Sequence, residues 1–167
     1  MSQPTEANDP TEEKRAEPAS LVTVMQFVKH FSFDNPNGRA ALAPTNVAPS
    51  IQIDININLL KIDDSNYEVD LILKGGAKTP ERQLFAFDLT YTGVYQIKNL
   101  LPQQIHPVMM IDAPRLLFPF AREIIATSVR DGGFPPLMLD PVDFVGLYRQ
   151  NMERQAAEMQ ASQIKPS

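Results

Sequence analysis

Apolar and polar residues alternate with period two through the first half of the chain, the signature of strands that bury one face. Ile51, Ile53, Ile55, Ile57 and Leu59 share one phase, and Gln52, Asp54, Asn56 and Asn58 the other. Tyr67, Val69, Leu71 and Leu73 alternate with Glu68 and Asp70. Phe85, Phe87, Leu89, Tyr91, Tyr95 and Ile97 alternate with Asp88, Thr90, Thr92 and Gln96. Leu21 to Phe33 reads as one more strand, with Leu21, Met25, Phe27, Phe31 and Phe33 apolar. Asp63-Asp64-Ser65-Asn66 is a turn cluster, and Gly75-Gly76 supplies a second hairpin loop. Strands two, three and four are therefore expected to form an antiparallel meander. The connector Asp34 to Ser50 is long, carries Pro36, Pro44 and Pro49, and reads as a crossover from strand one to strand two.

The second half turns helical. Leu117, Phe118, Ala121, Ile124, Ile125, Ser128 and Val129 form an apolar stripe at helical spacing, with Arg115, Arg122, Glu123 and Arg130 mostly elsewhere. Pro114 suits the first turn, Pro119 kinks the helix or marks its true start, and Asp131-Gly132-Gly133 ends it. Upstream, Lys98 to Pro114 admits a short helix opened by Pro102 and limited by Pro107. Phe134 to Leu139 cannot be helical across Pro135-Pro136. A last helix is expected to start at Asp140 as N-cap and Pro141 as first residue, with Phe144, Leu147, Tyr148 and Met152 on one face. The expected class is α+β: a four-stranded antiparallel sheet with a long helix and a C-terminal helix packed on one face. Residues 1–20 read as a disordered acidic tail, 21–152 as the domain, and 153–167 as a polar helix end and tail.

Charge and composition narrow the function. The 167 residues carry a net charge of -5, which argues against nucleic acid or an anionic membrane surface as partner. No cysteine is present, which excludes disulfides and thiolate sites. No apolar run spans a bilayer and no signal-peptide pattern opens the chain, so a cytoplasmic protein without direct membrane insertion is expected.

Catalytic patterns are missing: no phosphate-binding glycine loop and no nucleophile elbow. His30 and His106 lack metal-ligand partners at helical or hairpin spacing, and Asp63-Asp64 is better explained by turn chemistry. No catalytic residue, metal or cofactor is expected. Two features remain. Asp54, Glu68, Asp70 and Asp88 fall on the outward phase of neighbouring strands, either a solvated face or a negative dock for a basic partner. Phe134, Leu137, Met138, Leu139, Phe144 and Tyr148 cluster in and after a proline-rich linker and exceed what one small core needs, which marks an interface or groove. Seven methionines suit promiscuous contact.

Leu-Phe-Pro-Phe-Ala-Arg-Glu from Leu117 to Glu123, Gly-Phe-Pro-Pro-Leu from Gly133 to Leu137, and Asp-Pro-Val-Asp-Phe from Asp140 to Phe144 resemble the SecB protein-export chaperone family. Phe31-Ser-Phe33-Asp34-Asn-Pro36 and the isoleucine strand extend the resemblance to roughly Val22–Met152. It implies an ATP-independent holdase for unfolded precursor proteins, assembled as a homotetramer, a dimer of dimers, that hands its clients to the SecA motor. By position, the client groove would hold Ile51, Ile53, Ile55, Phe134, Leu137, Met138, Phe144, Leu147 and Tyr148. The SecA dock would hold Asp34, Asp54, Glu68, Asp70, Ala86 and Asp88. The tetramer interface would use Leu117, Phe118, Ala121, Ile124, Ile125 and Ser128 of the long helix. The chain departs from the family pattern at His30, where the pattern carries an acid, and at Ala86, where it carries a larger apolar residue. A SecB-like chaperone dedicated to one client such as an antitoxin, a small-ligand protein with an apolar pocket, and a structural oligomer are the competing readings.

Overall fold

The structure, a computed structural model, describes residues 17–164. Most of the expected N-terminal tail, residues 1–16, lies outside the described residues, as do residues 165–167. Strands β1 (Ser20–Asp34), β2 (Ser50–Lys61), β3 (Asn66–Lys78) and β4 (Gln83–Lys98) form one antiparallel sheet in the order β1-β4-β3-β2. The meander is present. The long connector crosses from β1 at one edge to β2 at the other. A 3-10 turn within it, Gly38–Leu42, buries Ala41, while the Asn37 side-chain amide donates to the Gln83 carbonyl over 2.6 Å.

The Asp63 turn forms as expected, its Oδ1 accepting the backbone N–H groups of Ser65 at 2.8 Å and Asn66 at 2.9 Å. The second turn differs from expectation. Gly75 and Gly76 lie inside β3, where a Cβ would run into the backbones of Gln52 and Phe85. Their neighbours on both sides come too close for a side chain. The loop is displaced to Thr79–Arg82, where the Thr79 N–H donates to the Arg82 carbonyl at 2.9 Å.

Strand β1 also corrects the sequence reading. Its register against β4 shifts between Thr23 and Met25 and again between Val28 and His30. Each bulge inserts one residue and reverses the alternation. Leu21, Phe31 and Phe33 pair with Ile97, Leu89 and Phe87 and face the core, whereas Met25 and Phe27 pair with Val94 and Thr92 on the outer face. Five apolar residues expected on one face are therefore split between two.

Beneath the inner face runs a single helical stretch: α1 (Pro102–Pro107), a π turn (Val108–Asp112) and α2 (Ala113–Asp131). Pro102 opens it. Pro114 lies in the first turn of α2, as expected, but neither it nor Pro107 interrupts the helical path, because the chain stays helical through Pro107, Val108, Asp112 and Ala113. The π turn falls between these two residues, each lacking an N–H for the regular ladder. Pro119 likewise lies inside α2. Burial of the apolar stripe holds this proline-interrupted helix together: Leu117, Ala121 and Ile125 are 0% exposed, packed into the cluster that holds Val69, Leu71, Leu73 and Leu89. The helix ends in a glycine motif. The Gly133 N–H donates to the Arg130 carbonyl at 2.9 Å and the Phe134 N–H to the Val129 carbonyl at 3.2 Å, with Gly133 at φ +92.

The last helix, α3 (Phe144–Gln163), starts later than expected. Asp143, not Asp140, is its cap and accepts the Gly146 N–H at 3.0 Å. Buried Leu139 and half-buried Val142 keep the preceding segment extended against the core. The helix packs on the π turn of the long helix rather than on the sheet. It runs on to Gln163, through most of the segment 153–167 read as helix end and tail, since Gln155, Ala156, Ala157, Glu158 and Gln160 are good helix formers.

Candidate functional site

Two surfaces carry the candidate residues. The first is an apolar trough of about 350 Å³ between β2, α2 and the linker to α3. Ile51, Ile53 and Ile55 form one wall, Leu137, Met138, Leu139, Asp140 and Val142 the other, with Phe118 also lining it. Ile51 is 49% exposed and Met138 62%, so the trough opens to solvent. It exists because β2 is an edge strand. Its isoleucines have core on one side only, and the proline-bound linker stays extended alongside them.

Five of the residues placed in the groove by resemblance line this trough: Ile51, Ile53, Ile55, Leu137 and Met138. The others do not. Phe144 is 2% exposed and meets Phe118 edge-on at 6.0 Å, which makes it core. Leu147 packs against the same core. The Tyr148 hydroxyl lies 3.2 Å from His106 Nδ1, bonding α3 to α1 away from the trough. Phe134 tilts against Phe85 at 5.1 Å, and Phe85 stacks on Phe33 at 5.9 Å. Helical spacing marks an apolar face but does not say whether core or groove meets it. Sequence reasoning placed Phe118 elsewhere and missed Val142, whose signal was its place beside Leu139 in an extended segment.

The second surface is the outer sheet face. Directly opposed residues of an antiparallel pair share a face. Asp34 opposes Ala86, Ser32 opposes Asp88, and His30 opposes Thr90, so these residues gather at one end. The middle of the face is partly neutralised, one lysine against two carboxylates. Lys29 Nζ reaches Glu68 at 2.8 Å and Asp70 at 2.9 Å, and Thr92 Oγ1 donates to Asp70 at 2.6 Å beneath it. The hydrogen bond to Glu68, and then that to Asp70, raise the Lys29 pKa above its ordinary value. Lys74 Nζ pairs with Asp88 at 3.1 Å. Asp34 and Asp54 have no ion pair among the described residues. Lys29 was missed from sequence because it is itself the extra residue of the second bulge, and only that bulge brings it over the acids of β3.

The six helix residues assigned to an interface between copies need correction. Leu117, Phe118, Ala121 and Ile125 are buried against the sheet within one chain, and only Ile124 and Ser128 stay half-buried. The apolar residues the helix leaves accessible are Leu116, 44% exposed, and Phe120, 52% exposed. Among the described residues, no helix is long and apolar enough to cross a membrane.

Residues 13–155 match the family described as SecB, preprotein translocase subunit SecB. The protein-export protein SecB of Rhodopseudomonas palustris (strain BisA53) is 55% identical over 150 residues, 90% of this chain and 93% of that protein. The protein-export protein SecB of Nitrobacter winogradskyi is 55% identical over 140 residues, 84% of this chain and 88% of that one. Among solved structures, the Mycobacterium tuberculosis Rv1957 SecB-like chaperone, in complex with a ChAD peptide from the Rv1956 HigA1 antitoxin, superposes with a TM-score of 0.56. That likeness covers 74% of this chain and 91% of the other at 10% sequence identity, and is one of fold.

Proposed function

The chain belongs to the SecB family of protein-export chaperones, and on that premise we propose that it is an ATP-independent cytoplasmic holdase that keeps unfolded precursor proteins competent for translocation and delivers them to SecA. The observation that carries this is the solvent-open trough walled by Ile51, Ile53, Ile55, Leu137 and Met138. A holdase needs accessible apolar surface without a catalytic group. It withdraws unfolded chain from the folding equilibrium by mass action, and no nucleotide is required.

Delivery to a motor needs a second surface that a bound client leaves free. The outer sheet face is separate from the trough, and its Asp34, Ala86 and Asp88 end supports docking of a basic partner. Lys29 offsets one of the two charges of Glu68 and Asp70, and Lys74 offsets that of Asp88, so Asp34 is the carboxylate of that end without an ion pair among the described residues. A homotetramer built as a dimer of dimers would cover the accessible apolar residues Leu116 and Phe120 of the long helix and Val22, Met25 and Phe27 of β1.

Refolding of a denatured secretory precursor without nucleotide tests the reading. Arrest near one client per tetramer supports the general holdase. Unhindered refolding removes it. Capture of a single partner such as an antitoxin, with no effect on precursors, would instead favour a dedicated chaperone.

A further inference from the structure

We propose that Met138 is an oxidation site: a hydroperoxide converts its thioether to the sulfoxide, and the polar group set into the trough wall lowers client capture until a reductase removes it. The inference rests on the chaperone reading above and adds how that surface is regulated.

The chain has no cysteine, so the sulfur it offers an oxidant is all thioether, in seven methionines. Their surroundings differ. Met109 is 0% exposed, within the core cluster. Met25, Met152 and Met159 are exposed, the first on β1 and the others on α3. Met138 is 62% exposed and is the one methionine among the described residues that lines the apolar trough. The fold puts it there. Leu139 is buried and Leu137 half-buried, both packed against the core. In an extended segment successive side chains take opposite sides, so the two leucines turn Met138 outward. A small oxidant reaches it with no opening of the fold, whereas Met109 is reached only when the core opens.

The step is an oxygen transfer. A lone pair on the methionine sulfur attacks one peroxide oxygen, the O–O bond breaks as the S–O bond forms, and the departing hydroxide takes up the proton and leaves as water. Sulfur is oxidised by two electrons and the peroxide is reduced by two. A methionine sulfoxide reductase reverses the step, two thiols becoming a disulfide while the oxygen leaves as water. Oxidation turns a flexible apolar side chain into a polar one. A client side chain that covers it takes the sulfoxide oxygen out of water without offering a donor, and the side chains of Ile51, Ile53, Leu137 and Val142 around it offer none. Capture weakens while the fold stays, because Met138 stands outside the core.

The test uses the full chain and a denatured secretory precursor. Hydrogen peroxide is titrated, and sulfoxides are assigned residue by residue by mass spectrometry. Met138 is expected to oxidise along with Met25, Met152 and Met159, well before Met109. Precursor affinity should then fall about fivefold or more at an unchanged unfolding midpoint. It should return with methionine sulfoxide reductases for both epimers and dithiothreitol. Met138→Leu, compared with its own untreated state, should change by less than about twofold, and Met138→Gln, with a polar group at the same wall, should bind about fivefold more weakly than Met138→Leu. Met138 left unoxidised where Met25 and Met159 are converted overturns the proposal. Unchanged capture by protein oxidised at Met138 does so too, as does an equal loss in Met138→Leu, which assigns the effect to another methionine. Where peroxide also lowers the unfolding midpoint, the comparison of Met138→Gln with Met138→Leu decides. If the untreated protein captures no precursor, the chaperone reading falls, and this inference with it.

Discussion

The hydroxyl of Tyr95, buried on β4, donates to the carbonyl oxygen of Ala113 across 3.2 Å. The bond ties the sheet to the point where the π turn passes into α2. Burial pushes the phenol pKa above its ordinary value, so the group stays a donor throughout the working range of pH. Tyr95→Phe keeps the ring and removes the bond. The expected cost is about 1 kcal/mol, read as a lower urea midpoint with an unchanged m value.

Gly133 ends the long helix at φ +92, and a Cβ there would sit 3.0 Å from Leu42 Cδ1. Gly133→Ala therefore combines left-handed strain with crowding of the connector. A loss of about 1–2 kcal/mol is expected in thermal or chemical unfolding.

Lys29 bridges Glu68 and Asp70, and its pKa is raised, first by the hydrogen bond to Glu68. A raised cation stabilises fully below its unfolded value of 10.5 and loses that contribution as pH climbs through the raised folded value. Its side chain is 45% exposed, so the expected effect of Lys29→Met near neutrality is at most about 1 kcal/mol. The gap in stability between wild type and Lys29→Met should close above pH 10.5. A gap that persists there would show the stem's packing, and not its charge, to be responsible.

Replacing Asp34 and Asp88 together by lysine reverses the charge at the open end of the outer face and releases Lys74 from its pair. Retention by immobilised SecA should fall by about tenfold or more at low salt, while precursor capture is unchanged. Retention equal to wild type would move the docking surface elsewhere.

Ile51 and Phe144 separate groove from core. Ile51 is 49% exposed, so Ile51→Ala should weaken precursor capture and leave the unfolding midpoint nearly unchanged. Phe144 is 2% exposed, and Phe144→Ala should cost about 3–5 kcal/mol of stability. Affinity and unfolding measured on both variants check the assignment.

Local pattern alone is enough for the existence of the strands, the antiparallel meander and the apolar face of the long helix. These are local patterns: period two in Ile51 to Leu59 and Tyr67 to Leu73, helical period in Leu117 to Val129. The sequence also exposed the surplus in the linker, where Leu137 and Met138 do line the trough. Other features turn on partners distant in sequence and exist only in the packed fold. The two bulges of β1 form against β4, and they send Met25 and Phe27 outward and bring Lys29 onto Glu68. Helical continuity through Pro107, Pro114 and Pro119 depends on the sheet burying that face. Leu117 and Leu116 are chemically the same residue. Only the position of the sheet makes one core and leaves the other to solvent, because burial belongs to the packed fold and not to the residue.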